Sequence, residues 1–145
     1  MSPGGKVFAF TLPVTVHLRD LDALGHVNNA VYLTYLETTR NRWVFDLTGK
    51  KTVHDFDFIL ARTHIQFRSA ASLHESLNVA LRPVRLGTSS WDLEYEVREA
   101  RSGRLVVEAD STQVMYNYQA LRSMPIPQGF RRTLEEAMKR CGVGL

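Results

Sequence analysis

The chain has 145 residues, and its 18 Lys and Arg against 15 Asp and Glu give a formal net charge of +3. This length favours a single domain, and the 44% of hydrophobic residues excludes an intrinsically disordered chain. No apolar run approaches the roughly 20 residues of a transmembrane helix, and no secretory signal is visible, so we expect no membrane partner. The small positive excess is poor evidence for binding to nucleic acid, so no nucleic-acid partner is predicted. An anionic small molecule would suit the same charge equally well.

The single cysteine, Cys141, excludes an internal disulfide and a multi-cysteine metal site, which favours a reducing, cytoplasmic setting.

The first predicted element is a strand over residues 7–19, where Val14, Val16 and Leu18 alternate with polar residues. Pro13 has no amide hydrogen to donate, so we expect this strand at a sheet edge or beside a bulge. A polar turn follows, with the sequence RDLDALGHVNN.

The one long helical pattern covers residues 30–47, where apolar side chains recur at spacings of three and four. Asn28 or Asn29 can cap its start, and Gly49 suits its end. Further apolar side chains, Leu33 among them, widen the stripe. The pattern therefore predicts a helix that is covered on most sides.

Residues 58–118 alternate as strands do, most clearly over 91–97. Their short connections, rich in glycine and serine, predict antiparallel pairing. The tail predicts a short helix over 131–140, within a C-terminal segment 128–145. These elements predict one α+β domain over 1–145, with a core of about 7–127, one buried helix and five long strands.

One helix covers only part of such a sheet, and the sheet has two edges whose backbone groups need partners. We therefore expect two copies to pair through an edge in a homodimer or homotetramer. A monomer is the alternative, because an antiparallel sheet can leave one face in water.

Chemistry-bearing side chains are concentrated in residues 19–40, with the sequence RDLDALGHVNNAVYLTYLETTR. Two carboxylates, an imidazole and two amides directly precede the helix: Asp20, Asp22, His26, Asn28 and Asn29. The first amides of a helix have no internal acceptor and can hold a developing oxyanion. A carboxylate that faces these amides can act as nucleophile or general base. An oxyanion donor and such a carboxylate are the two elements that acyl transfer needs. A purely structural turn is the alternative, because the same residue types are common in turns and caps.

This segment resembles the signature of the hotdog-fold thioesterases of the 4-hydroxybenzoyl-CoA thioesterase type, which has paired acids, a glycine and HVNN before a central helix. The resemblance covers about residues 11–127. It continues through Tyr32, Tyr35, Glu37 and Arg40 on the helix, the strand region 61–90, and RSMPIP at 122–127. It implies a hotdog fold, in which an antiparallel sheet wraps around one long central helix. The implied activity is hydrolysis of an acyl-CoA thioester to a free carboxylic acid and coenzyme A.

By this resemblance, Asp22 is the catalytic carboxylate, acting as nucleophile or as general base. The backbone amide of Asn29 is the implied oxyanion donor, and His26 is the group that orients the substrate. One departure is Leu24, which stands where related acyl-carrier-protein thioesterases have the asparagine of Asp-x-Asn-x-His. It favours the arrangement centred on Asp22. His74 stands in a predicted turn where relatives commonly have glycine.

The predicted substrate-binding residues are Gly25, Asn28, Tyr32, Glu37, Arg68 and Arg85. Glu37 is either a further catalytic participant or a carboxylate that pairs with Arg40 or Asn41 at helical spacing. The phosphates of coenzyme A suit arginine, and the candidates are Arg62, Arg68, Arg82, Arg85, Arg131 and Arg132. At each of these positions a solvated strand face is the alternative. The candidates for lining the pocket of the acyl group are Trp43, Phe45, Phe56 and Phe58. The alternative is that these aromatic residues only pack in the hydrophobic core.

No metal is expected, because His17, His54, His64 and His74 lack the spacing of metal ligands. Cys141 lies in a tail that we expect to be frayed, so it is not predicted to be a catalytic thiol. The only cofactor expected is the coenzyme A of the substrate. The alternative functions are a hotdog module that binds an acyl-thioester or aromatic ligand without hydrolysis, an acyl-carrier-protein thioesterase, and a hydratase or dehydratase. The sequence leaves the acyl group open.

Overall fold

The computed structural model describes residues 5–49 and 57–144. Its helices and strands follow in the order β1 (Phe10–Thr15), a 3-10 turn (Leu18–Asp20), α1 (Asn29–Thr48), β2 (Phe58–Phe67), β3 (Ser76–Leu86), β4 (Ser90–Glu99), β5 (Leu105–Asn117), β6 (Arg122–Ser123) and α2 (Gln128–Arg140). Among the described elements, no helix is long and apolar enough to span a membrane.

The strands form one antiparallel sheet in the order β1-β3-β4-β5-β2, with β6 attached to the end of β5. Successive residues of a strand point to opposite faces, so each central strand has one apolar row. Leu77, Val79 and Leu81 of β3 are fully buried on the inner face. On β4, Val97 and Tyr95 continue that row opposite Val79 and Leu81, whereas the charged side chains that alternate with them lie on the outer face. The prediction of antiparallel strands is confirmed.

Helix α1 packs its apolar stripe onto this inner face. Asn28 begins the helix, because its side-chain oxygen accepts a hydrogen bond from the Ala30 N–H at 2.9 Å. Gly49 ends it in the left-handed conformation, with a φ of 71° that suits glycine. The buried side chains of α1 are Tyr32, Tyr35, Leu36, Thr39, Arg40, Trp43 and Val44. The α+β arrangement, with a sheet packed around one long helix, is therefore as the sequence predicted.

Three local expectations are wrong. The first strand is shorter than 7–19, because the chain turns into the 3-10 segment after β1 and leaves Leu18 74% exposed. Helix α1 is not covered on most sides, since Leu33 and Glu37 face outward beside the sheet edge. Cys141 is buried at the end of α2 rather than frayed, and burial raises the pKa of its thiol.

The two edges of the sheet differ in how they are covered. Strand β1 carries Pro13 at an edge, as predicted, and the preceding residues continue alongside β3 through the Ala9 N–H. Strand β2 is exposed along most of its length, including Leu60 and Phe67. The candidate residues His54 and Phe56 precede β2 and lie outside the described residues.

Candidate functional site

The loop before α1 is tied to itself by short-range hydrogen bonds. The Asp20 carboxylate accepts from the His17 N–H at 3.0 Å and from the Tyr35 hydroxyl at 2.9 Å. Burial, and then the bond to Asp20, raise the pKa of Tyr35, so its hydroxyl keeps the proton that it donates. The first acid of the pair therefore holds the loop against the helix, and both of its contacts are structural.

The second acid, Asp22, is held through one oxygen only. Its Oδ1 accepts from the Leu24 N–H at 2.9 Å and from the His26 N–H at 3.3 Å, which is an Asx turn. Gly25 completes this turn with a φ of 82°, in the left-handed region that favours glycine. Among the described residues, Oδ2 of Asp22 has no hydrogen-bond donor. The turn thus fixes the carboxylate and leaves one oxygen available.

The end of the loop is braced by the chain segment that follows β2. His26 forms an isolated bridge with Ser72, and the Val27 N–H donates to the Ala71 carbonyl at 2.9 Å. The Ala71 N–H in turn donates to the Tyr32 hydroxyl oxygen at 3.2 Å. Burial raises the pKa of Tyr32, so its ring is a neutral wall.

Helix α1 begins at this loop and presents its free amides there. Asn28 uses its side chain for the cap and its own N–H for the Asp20 carbonyl at 2.9 Å. The N–H of Asn29, the first helical residue, has no acceptor in the described ranges. The first amides of a helix lie at the positive end of its dipole, which favours a negative ligand atom.

These groups meet in one cavity of about 240 Å³, which we call the Asp22 pocket. It is lined by Asp22, His26, Val27, Asn29, Tyr32, Phe67, Arg68, Ser69 and Ala70. The structure therefore brings together five of the predicted site residues: Asp22, His26, Asn29, Tyr32 and Arg68. Gly25 and Asn28 lie in the adjoining loop and shape it without lining the cavity.

Sequence reasoning missed the wall opposite the helix. Phe67 packs against Tyr32 with ring centroids 5.8 Å apart, and Ser69 and Ala70 follow it at the end of β2. Arg104 is a further cation near this wall, donating to the Ala70 carbonyl at 3.0 Å and to Glu75. The small residues after Arg68 were the available signal, because they let the chain approach the loop closely.

The predicted phosphate-binding arginines are not gathered in one place. Arg68 lines the Asp22 pocket and pairs with Glu108 at 2.8 Å. Arg85 lies elsewhere, on the outer face of the sheet, where it forms a bidentate pair with Asp92. The carboxyl of Asp92 is partly buried, which alone would raise its pKa, and the hydrogen bond from Arg85 brings that pKa below the usual range. Arg62 forms a salt bridge with Asp110, and Arg82 forms one with Glu94.

Glu37 lies in a different cavity, of about 180 Å³, between α1 and β2. We call it the Arg40 pocket, and it is lined by Leu33, Thr34, Leu36, Glu37, Arg40, Leu60 and Thr63. Glu37 and Arg40 form no ion pair with each other, so the pairing with Arg40 considered for Glu37 is wrong. Of the predicted acyl-pocket aromatics, Trp43 and Phe58 are buried in the core and line neither cavity. In the described ranges, no group of three His, Cys, Asp or Glu side chains is placed to hold a metal ion.

Comparison with known proteins shows the family to which the chain belongs. The model of the Thioesterase-like superfamily matches residues 16–134, which include both cavities. The long-chain acyl-CoA thioesterase FadM of Escherichia coli is 27% identical over 121 residues, covering 82% of this chain and 92% of FadM.

Solved structures are similar over nearly the whole chain. A thioesterase from Thermus thermophilus, solved in complex with coenzyme A and Zn, is 31% identical with a TM-score of 0.80, covering 88% of this chain and 98% of that one. A 1,4-dihydroxy-2-naphthoyl-CoA thioesterase from Synechocystis is 22% identical with a TM-score of 0.78, covering 88% and 96%, a likeness that concerns the fold alone. The predicted hotdog fold is confirmed.

Proposed function

Because the chain belongs to the Thioesterase-like superfamily, we propose that it hydrolyses an acyl-CoA thioester to a free carboxylic acid and coenzyme A. The observation that carries this proposal is the shared wall of the Asp22 pocket. A carboxylate with one unoccupied oxygen and a helix N-terminus with an unoccupied N–H line the same cavity. Acyl transfer needs these two elements, and the loop holds both in place before any substrate binds.

In the proposed reaction, the thioester carbonyl lies with its oxygen at the Asn29 N–H. Asp22 then either attacks the carbonyl carbon directly or takes a proton from the attacking water. In both routes the C–S bond breaks, the sulfur leaves as a thiolate, and water supplies the oxygen of the product acid. The positive end of α1 stabilises the oxyanion of the tetrahedral intermediate.

The other lining groups take supporting roles in this proposal. His26 orients the thioester, and Tyr32 with Phe67 forms the apolar wall beside it. Arg68 binds a phosphate of coenzyme A near the mouth of the pocket, at a half-exposed position. The guanidinium of Arg85 is bonded to Asp92 and lies away from this pocket. The predicted contact of Arg85 with the substrate therefore requires another part of coenzyme A to reach the outer face of the sheet.

Coenzyme A is the proposed carrier, supported by the Thermus thermophilus complex with coenzyme A and by the activity named for FadM. Acyl carrier protein is the alternative carrier. Water and the Asp22 carboxylate suffice for the reaction, so we propose no cofactor beyond the coenzyme A of the substrate. A cytoplasmic setting, in which acyl-CoA is available, stays a prediction.

We also propose that the active form contains a second copy, paired through β2. This strand is a bare sheet edge, and an exposed edge strand is a template for pairing. Ile59, Leu60 and Phe67 are exposed along it, and Leu33 of α1 is exposed beside it. A copy related by two-fold symmetry would cover this apolar surface and close the open side of both cavities. Sedimentation distinguishes the predicted homodimer or homotetramer from a monomer.

The decisive experiment is the release of free thiol from a panel of short, long and aromatic acyl-CoAs, with one acyl carrier protein thioester included. We expect release from at least one acyl-CoA and saturation with substrate concentration. Binding of panel members without thiol release would instead assign a non-catalytic binding module. Hydration of an enoyl-CoA without thiol release would assign a hydratase.

A further inference from the structure

The Arg40 pocket contains a buried cation whose hydrogen bonds are not all satisfied. Arg40 is 4% exposed, and none of the described carboxylates pairs with it. One guanidinium nitrogen donates to the Tyr95 hydroxyl at 3.1 Å, but the Nε–H has no acceptor among the described residues. A buried donor that lacks a partner is costly, and a buried charge more so.

The same cavity offers two more polar groups. Thr63 Oγ1 is shielded from solvent and has no partner in the described part of the chain. Glu37 contributes an outward-facing carboxylate, one turn of helix before Arg40. The charges of Arg40 and Glu37 cancel, so the pocket as a whole is neutral. It therefore offers a charged donor, the Thr63 hydroxyl and a charged acceptor, and the rest of its lining is Thr34 and three leucines.

This pocket lies along the same groove as the Asp22 pocket. Both cavities are lined by α1 on one side and by β2 on the other, with Tyr32 and Leu33 between them. Arg40 follows Asn29 by eleven residues, which is about 16 Å along the helix, and its side chain leans back toward the N-terminus. An extended chain advances about 1.2 Å per bond, so an acyl chain of about 10–12 carbons reaches from one pocket to the other.

We infer that the Arg40 pocket selects acyl groups that end in a hydroxyl. A hydroxyl can accept from the Arg40 Nε–H and from the Thr63 hydroxyl and can donate to the Glu37 carboxylate, which satisfies all three groups. A plain methyl end leaves them unsatisfied, and an ionised carboxylate end has no hydrogen to donate to Glu37. The volume of about 180 Å³ accommodates the end of a chain but not a whole long chain. This inference rests on the proposed function, since it names the substrate class of the same site.

The test uses binding, so that it does not depend on catalysis. Two thioether analogues, S-decyl-CoA and S-(ω-hydroxydecyl)-CoA, cannot be hydrolysed and differ by one oxygen. We expect the wild-type protein to bind the hydroxyl analogue about tenfold more tightly by calorimetry, as for a hydrogen bond to a charged group. Arg40→Met should bring the ratio of the two Kd values close to one. Arg42→Met, at an exposed position of the same helix, should leave the ratio unchanged.

Thr63→Val and Glu37→Gln provide a second test should Arg40→Met fold poorly. Both positions are near the open edge of the sheet. We expect each substitution to reduce the preference for the hydroxyl analogue, given by the Kd of S-decyl-CoA divided by the Kd of S-(ω-hydroxydecyl)-CoA, about threefold. Equal binding of the two analogues by the wild-type protein, or binding of neither, would overturn the inference. So would an Arg40→Met variant that loses its oligomeric state but keeps the ratio, which would assign Arg40 to the contact between copies. Thiol release from the acyl-CoA panel is measured separately, so a failure here is distinguishable from a failure of the proposed hydrolysis.

Discussion

The two polar regions of α1 are built in opposite ways. At its N-terminus, the loop side chains bond to backbone groups two to four residues away and leave reactive atoms open. At its middle, Arg40 is buried and bonds to Tyr95, which is 55 residues away in the chain. Tyr95 then contacts Ser111, which bonds to Gln113. The first region is organised mainly by hydrogen bonds between residues close in sequence, and the second by the tertiary fold.

This difference predicts that substitutions at the two regions fail in different ways. A change at the loop should remove activity and leave the free energy of unfolding almost intact, because the loop is exposed and locally bonded. A change in the buried network should lower the free energy of unfolding, because it leaves polar atoms without partners in the core. Each substitution below either tests or refines this contrast.

The largest effect is expected for Asp22→Asn. The amide oxygen can still accept from the Leu24 and His26 N–H groups, so the turn is kept. The nucleophile or base is lost, and kcat should fall about 100–10,000-fold. Asp20→Asn is the matched control, because it preserves the acceptor for Tyr35 in the same loop. We expect its kcat to stay within about threefold of wild type. Equal losses in the two variants, measured by thiol release, would contradict the assignment to Asp22.

The second substitution acts on the buried network. Tyr95→Phe removes the hydroxyl that joins Arg40 to Ser111, and the free energy of unfolding should fall by about 1–3 kcal/mol. Tyr118→Phe is the control, because it removes a tyrosine hydroxyl at a half-exposed position, where it donates to the Phe58 carbonyl. It should lower the free energy of unfolding by less than about 1 kcal/mol. Urea unfolding at one fixed protein concentration compares them. Tyr95→Phe with wild-type stability would show that the network contributes nothing.

The local region could be predicted from the sequence because its bonds are short in sequence. The cap by Asn28, the end of α1 at Gly49 and the density of polar groups around Asp22 are all properties of a few adjacent residues. The antiparallel sheet followed from alternation and short connections. The burial of Arg40 could not be predicted, because it depends on Tyr95 reaching the helix from the middle of the sheet.

Periodicity also could not distinguish Arg68 from Arg85. Both are cations in segments whose sequence alternates as a strand does, but in the structure Arg68 follows the end of β2 beside the Asp22 pocket. Arg85 comes after a register shift in β3, and its partner Asp92 alternates with the buried Trp91 and Leu93. That alternation places the pair on the outer face of the sheet. Which edge strand lies beside the helix N-terminus is a property of sheet order, which the sequence pattern does not contain.

A smaller effect is expected at the cap of α1. Asn28→Ala removes the acceptor for the Ala30 N–H and should cost about 1 kcal/mol of unfolding free energy. Asn28→Asp keeps that acceptor and adds a charge that the helix dipole favours, so stability should be retained. The same charge lies beside the Asn29 N–H and opposes a developing oxyanion, so kcat should fall. Asn28→Asp with reduced stability and unchanged kcat would argue against an oxyanion site at this helix end.

The smallest effect is expected in the turn behind the loop, where His74 has a φ of 67°. A side chain in this left-handed conformation costs about 1–2 kcal/mol, and glycine avoids that cost but loses more chain entropy on folding. His74→Gly should therefore raise the free energy of unfolding by about 0.5–1 kcal/mol. His74→Ala keeps the strained φ and should give no such gain. The turn is two residues beyond the Ser72 bridge to His26, so a stabilised turn should leave kcat unchanged if the loop holds its own geometry. A change in kcat with His74→Gly would instead mean that the site depends on the distant brace as much as on its local bonds.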